Sequence, residues 1–378
     1  MKGRLHLHSF WTRPCFKTEA ARQSDDIVIW DYEMVTWLVS ALQARRHGRI
    51  RLITDSRGLQ FARRTGIEWV YNDGISTELD AIPADLDPQL FWAASKVYAL
   101  LQVDEPVISL DTDAVFWDRF EPSAPVMALH PEDPHWPWYT RNRERYASMG
   151  FEGEEWDWGL VPYTTAILYV ESPAAARSYA GTVTEFMQRC SVATARREGR
   201  LEQFGDAMLF AEQRLLPMCM ARCGMRVEAI GRRHPSEFLL AKNTLCTHLW
   251  GSKAGYRNCA EARRAYLEWL VAYVEREHPD ALDTLAGWRL DPGSLPAREP
   301  NLPETPAMKN ADLCLIDNVR GVVSILDPNV GARRRAVSGM RVFPGEAVEA
   351  EPGSAFDLRR CGSENAVKQE DPAVLSNR

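Results

Sequence analysis

The chain has 378 residues, an apolar fraction of 45% and a formal charge of −7 at neutral pH. That length exceeds what one hydrophobic core usually serves, so one large α/β domain with appendages, or two domains, is expected. The acidic balance argues against a nucleic-acid partner. No apolar run is long enough to cross a bilayer, and the opening MKGRLHLHSFW lacks the apolar core of a secretion signal, so a cytoplasmic protein without a membrane span is the simplest expectation. The eight cysteines are scattered without a CxxC pair. Cys219 and Cys223 share a helical face, but reduced thiols are expected rather than a zinc site.

Taken in order, LHLHSF at residues 5–10 alternates apolar with polar and predicts a first strand. The following WTRPC sets Trp11 and Arg13 at its carboxyl end, where open α/β sheets bind ligands. Helical spacing runs from Trp30 to Ala44 and stops at His47-Gly48. RIRLITD is then a strand ending on Asp55, which either contacts a ribose or base or starts the next helix. SRGLQFARRTG predicts a helix capped by Ser56 and ended by Gly66, and IEWVYND predicts a third strand. This β-α-β-α-β alternation is that of a Rossmann-like, mostly parallel sheet flanked by helices. No GxGxxG or GxxxxGK[ST] follows any of these strands, which counts against dinucleotide and P-loop enzymes and leaves a metal to hold any phosphate.

A helical segment, PQLFWAASKVYALLQ with Lys96 in it, leads to EPVISLDTDAVFW. Val107 to Leu110 read as a buried strand of a parallel sheet. Asp111 and Asp113, one residue apart, would point the same way if the strand stayed regular. Such a pair either begins a turn or, as hard oxygen donors, holds Mg²⁺ or Mn²⁺ that also binds a diphosphate.

PVMALHP predicts another strand, and the insertion after it carries Trp136, Trp138, Trp156 and Trp158. Loops this long are functional or mobile; its tryptophans either stack on a sugar or clamp the loop to the core. PYTTAILYVE at 162–171 predicts a strand, and Ser172-Pro173 opens a helix through Met187. GDAMLFAEQRLLPMCMARCG predicts a helix with Asp206 near its start and Glu212 on a later turn. TLCTHLWGSKAGYRN sets His248, Gly251 and Lys253 close together; a neutral imidazole can ligate a metal, but a lone histidine is more often structural. An amphipathic helix, AEARRAYLEWLVAYVERE, precedes a proline-rich stretch. From Met308 a few apolar runs lead to a polar end that composition predicts to be disordered. The expected division is a catalytic domain over 1–275, a helix end and linker over 276–307, and an irregular C-terminal extension over 308–378.

A helix with a basic residue, then a strand, then Asp-x-Asp, and late in the chain His-x-x-Gly-x-Lys, resembles the donor site of GT-A glycosyltransferases, in particular the retaining family of glycogenin and bacterial lipopolysaccharide sugar transferases. The resemblance implies a GT-A-like α/β fold over roughly residues 1–275. It implies Mn²⁺ or Mg²⁺ on Asp111, Asp113 and His248, and donor contacts from Lys96, Lys253 and Gly251, with Trp11, Arg13 and Asp55 near the nucleotide. It further implies Asp206 and Glu212 at the acceptor or donor sugar, a nucleotide-diphosphate sugar donor, and hexosyl transfer with retention to a saccharide, lipid or protein acceptor. The family often has Asn-x-Gly where this chain has Thr164-Thr165-Ala166, and arginine where it has Lys96. A non-catalytic nucleotide-sugar-binding module and a metal-dependent nucleotidyltransferase or phosphohydrolase are the competing readings.

Overall fold

The computed structural model describes residues 3–16, 27, 29–195, 206–231, 245–249, 252–288 and 290, and strand segments between 314 and 376. These residues fall into two compact units. The first holds the chain to residue 235 with 244–248 and 278–288; the second holds 236–243, 249–277 and 289–378.

The first unit is built on a seven-stranded sheet. Its strands are β1 (Leu5–Phe10), β2 (Arg49–Thr54), β3 (Ile75–Ser76), β4 (Val107–Leu110), β6 (Val126–Pro131), β7 (Tyr163–Val170) and β8 (Glu228–Ala229), in the order β3-β2-β1-β4-β7-β6-β8. The pairs β2–β3, β1–β2, β1–β4 and β6–β8 are parallel, and β7 pairs antiparallel with both β4 and β6. Six strands therefore share one direction and β7 opposes them. The fold is the Rossmann-like, mostly parallel α/β sheet flanked by helices that the alternation predicts, with one amendment: β4 is parallel to its neighbour on one side only.

Helix α1 (Asp31–His47) has acids in its first turn and basic residues in its last, as the helix dipole favours, and ends at Gly48. Gly48 is required there by space rather than by φ. A Cβ would lie 2.3 Å from the Arg4 carbonyl oxygen, which accepts from Arg49 N at 3.0 Å where β1 and β2 begin to pair. Helix α2 (Ser56–Arg64) is capped by Asp55, whose Oδ1 accepts from Gly58 N at 2.8 Å, so the cap lies one residue before the predicted Ser56. The third strand also moves. Residues 68–70 form a 3₁₀ turn that buries Val70, and only Ile75 and Ser76, after Gly74 at φ +89°, join the sheet. The pattern of IEWVYND came from a turn folding onto the core rather than from a pleat.

Helix α3 (Ala94–Leu100) is shorter than its predicted segment and buried on all sides. The 132–159 insertion forms α4 (Pro137–Thr140) and α5 (Arg143–Ala147). Its aromatics divide: Tyr146, Phe151 and Trp156 join the core and Trp158 stacks on Phe210 at 5.3 Å, whereas Trp136 and Trp138 stack on each other. α6 (Pro173–Ala195) runs past the predicted Met187, and Ala175 N donates to Ser172 Oγ. The thiols of Cys190, Cys219 and Cys246 are buried and reduced, each pushed up to about 12 by burial.

The second unit contains α9 (Ser252–Asn258), α10 (Ala260–Glu277) and two antiparallel four-stranded sheets. The irregular extension expected there is thus β-rich, and strands at Ala366–Gln369 and Leu375–Ser376 stand where composition predicts disorder. No helix among the described residues is long and apolar enough to cross a membrane.

The Gly48 contact gives a direct stability test. Gly48→Ala should cost about 1–3 kcal/mol, because the clash is with backbone at the start of the β1–β2 pair; thermal or urea unfolding measures it, and a variant as stable as the parent would show that the strand start can shift freely.

Candidate functional site

β1, β2 and β4 run parallel, so the loops after Phe10, Thr54 and Leu110 emerge on one edge of the sheet. β4 ends at Leu110, and the chain turns at once, Ala114 N donating to Asp111 O at 3.0 Å. It then enters a three-residue strand, β5 (Ala114–Phe116), which pairs antiparallel with β9 (Cys246–His248). The register sets Ala114 opposite His248 and Phe116 opposite Cys246. Trp117 extends the join, its N donating to Leu245 O at 2.8 Å and its indole to Thr247 Oγ1 at 2.9 Å across 130 residues of chain.

This pairing brings His248 to the aspartates. His248 Nε2 lies 3.8 Å from Asp111 Oδ2 and 3.7 Å from Asp113 Oδ1, and one donor atom from each of the three residues falls within 4.8 Å of the others. Those separations are too long for direct hydrogen bonds and suit donors facing a common ion, since cis ligands at about 2.1 Å from an octahedral ion lie about 3 Å apart and trans ones about 4 Å. Among the described residues this is the one such cluster.

Behind it stands Lys96 on α3. Its ammonium lies 2.9 Å from Asp111 Oδ1, pairs with Glu212 and is 3.5 Å from Thr165 Oγ1, while Thr165 donates to Glu212. Burial would lower the Lys96 pKa, but Asp111 and Glu212 outweigh it and hold the ammonium above its ordinary value. Burial pushes the Asp111 carboxyl up from 3.8 to about 7; Lys96 opposes that rise, and the charges of Asp113 and Glu212 add to it. With all carboxylates ionised, three negative groups face one ammonium, and the two uncompensated charges match a divalent cation. Two carboxylates and an imidazole also suit Mg²⁺ or Mn²⁺ chemically, so the residues fit the ion.

Glu212 reaches this place through a break in its helix. Ala207–Leu209 (α7) passes into a π turn at Phe210–Arg214 before α8 (Leu215–Arg222) resumes. Pro217 has no N–H to give the Gln213 carbonyl and its ring crowds that oxygen, so the turn before it widens. The wide turn sends three successive side chains inward: Glu212 to Lys96 and Thr165, Gln213 to the Tyr139 hydroxyl, and Arg214 to the carbonyls of Trp158 and Leu160. Sequence reasoning picked Glu212 but missed Thr165 and the π turn, for which Pro217 inside a helix was the available signal.

A second support lies on the other side of β5. Ser40 Oγ donates to Ala114 O at 2.5 Å, so it must accept from His8 Nε2 at 3.0 Å; His8 Nδ1 in turn accepts from the Tyr71 hydroxyl at 3.1 Å, which accepts from the Trp37 indole at 2.5 Å. Each donor has one direction available, which fixes His8 as the Nε2–H tautomer. Burial lowers His8 to about 3, so the chain stays neutral near physiological pH and anchors the carbonyl opposite His248.

The remaining sequence candidates sit as follows. Both Asp55 oxygens are occupied by Thr12 and Gly58, so its visible role is to tie the β1 loop to α2. Trp11 is buried in the core with the Arg13 guanidinium 4.7 Å above it, and Arg13 donates twice to Pro83 O. Asp206 lies 3.7 Å from Arg141 and its carboxyl is raised by burial. Lys253 lies on α9 in the second unit, and Gly251 lies outside the described residues.

A family profile described as "Family of unknown function (DUF6734)" matches residues 5–130, from β1 through most of β6. The apo crystal structure of mouse xyloside xylosyltransferase 1 is similar at 9% identity and a TM-score of 0.29, covering 57% of this chain and 84% of that one. No curated protein matches the chain.

Two measurements follow. A carboxyl with an ordinary pKa of 3.8 and a folded one near 7 binds more protons in the native state, so the metal-free protein should lose stability as pH rises through that window. A bound cation removes the repulsion but must displace the Asp111 proton, so Mn²⁺ should raise Tm more at pH 8 than at pH 5; an equal shift at both would contradict this proton–metal exchange. Ser40→Ala strands the His8 donor and the Ala114 carbonyl, costing about 1–3 kcal/mol, and should also weaken Mn²⁺ binding in a titration. Full metal affinity in a destabilised Ser40→Ala would show that β5 holds its place without this chain.

Proposed function

We propose that this protein is a metal-dependent glycosyltransferase that takes a sugar from a nucleotide-diphosphate donor. The observation that carries the reading is the β5–β9 pair, which joins Asp111 and Asp113 to a histidine from the far end of the catalytic region at 3.7–3.8 Å. A structural Asp-x-Asp turn has no use for such a partner.

Asp111, Asp113 and His248 would hold Mn²⁺ or Mg²⁺, which when bound supplies Lewis-acid stabilisation to the leaving nucleoside diphosphate. Lys96 orients Asp111 and keeps positive charge behind the diphosphate, where it offsets the charge that develops as the sugar bond breaks. Glu212 and Thr165 hold Lys96 from the other side, and Glu212 would stand at the acceptor or donor sugar, as the resemblance implies. Thr165 occupies the region where the resembling family often has Asn-x-Gly, and its hydroxyl supplies a polar contact at that point. Lys253 and Gly251 would contact the diphosphate, as the late motif implies, and the acceptor-side role of Asp206 is carried forward on the same basis. Hexosyl transfer with retention is the finer form of the proposal.

Calorimetric titration with a panel of nucleoside diphosphates and nucleotide sugars, with and without Mn²⁺, tests it. Metal-dependent binding is expected, followed by slow hydrolysis of one donor. Asp111→Asn, Asp113→Asn and His248→Ala should each lower nucleotide affinity in Mn²⁺ by at least about tenfold, the cost of roughly one strong contact, without loss of fold. Binding with no turnover would indicate a non-catalytic module; metal-independent binding, unchanged in all three variants, would refute the site.

A further inference from the structure

Resting on that transferase reading, we propose that Trp136 and Trp138 form an acceptor platform and that the acceptor is a saccharide whose pyranose ring stacks there. The two indoles lie parallel, 4.6 Å apart at 9°, and Trp136 is 38% exposed. Trp136 stands exposed, whereas Trp156 of the same insertion lies in the core and the partly buried Trp158 stacks on Phe210.

The pair is attached to the site at both ends. On one side Glu132 accepts from Thr164, the neighbour of Thr165. On the other, Trp138 meets Tyr139 edge-on at 6.1 Å, Tyr139 N donates to Trp136 O at 2.9 Å, and the buried Tyr139 hydroxyl donates to Gln213 beside Glu212. Trp136 is four residues from Glu132 and three from Tyr139, so its backbone lies within about 14 Å and about 11 Å of theirs. A short oligosaccharide reaches that far from a transfer centre bounded by Glu212.

The chemistry selects the ligand. An indole face is apolar with a negative π surface, and the C–H face of an all-equatorial pyranose is its complement, while the ring's hydroxyls meet polar neighbours at the edge. The same stretch of chain carries Glu132, Asp133, His135 and Arg141. A lipid chain would need a broad apolar patch rather than one indole pair on a charged loop.

The test uses metal-free protein in EDTA, so that it does not depend on the nucleotide. Saturation-transfer NMR with methyl β-D-glucopyranoside and cellobiose should show transfer to ring C–H protons, with none to open-chain sorbitol. Trp136→Ala and Trp138→Ala should reduce it about tenfold, the scale of one ring-stacking contact. Tyr139→Phe, which keeps the ring and loses the Gln213 anchor, should reduce it less, with Tm of each variant confirming the fold. Sugar signals unchanged in both tryptophan variants, or absent from the parent, would overturn the platform. Sugar binding lost in those variants, together with absent Mn²⁺-dependent nucleotide binding, would instead refute the transferase reading and leave a saccharide site standing.

Discussion

The structure of the site depends on three residue pairs between β5 and β9. Short two-stranded pairings are marginal by themselves, and this one is held by what surrounds it. Trp117 locks one end to Leu245 and Thr247, and Ser40 fixes the Ala114 carbonyl from α1. Closing so long a loop costs entropy that grows only slowly with its length. What the pairing places beside the two carboxylates is a buried imidazole.

The same tension appears around Lys96. A buried ammonium is costly unless paired, and two carboxylates pair it; a third carboxylate at Asp113 then leaves the cluster over-negative. Burial, with the charges of Asp113 and Glu212, raises the Asp111 carboxyl toward neutrality against the pull of Lys96, and a divalent cation would offset that repulsion. The π turn before Pro217 serves this balance, because a regular helix would not send Glu212, Gln213 and Arg214 inward in succession. One local defect thus supplies the counter-charge for Lys96, anchors the aromatic insertion through Tyr139 and ties down its tail through Arg214.

Much of this was legible locally. β1, β2, β4, β6 and β7 stand where apolar runs end at turn residues, and the Asp-x-Asp and the later histidine stand out as residue types. What local pattern could not supply was register: nothing in CTH announces a strand, and its partner lies about 130 residues earlier. The missed third strand has a similar cause, since Val70 and Tyr71 are buried by a 3₁₀ turn whose contacts are tertiary. Asp55 was ambiguous in sequence because a capping carboxylate and a ribose-binding one look alike until their donors, here Thr12 and Gly58, are known. In the second unit the apolar runs DLCLID and GVVSIL allow a β-rich cap or an assembly surface equally, and the two sheets show the strands they form.

The central claim is that one ion would join the two aspartates, the histidine and a diphosphate. Pulsed EPR of Mn²⁺ bound to the protein with a nucleoside diphosphate reads those neighbours directly. The account predicts nitrogen modulation from a single imidazole together with phosphorus coupling, and loss of the nitrogen signal alone in His248→Gln. Mn²⁺ bound with phosphorus coupling but no imidazole nitrogen in the parent protein would contradict it.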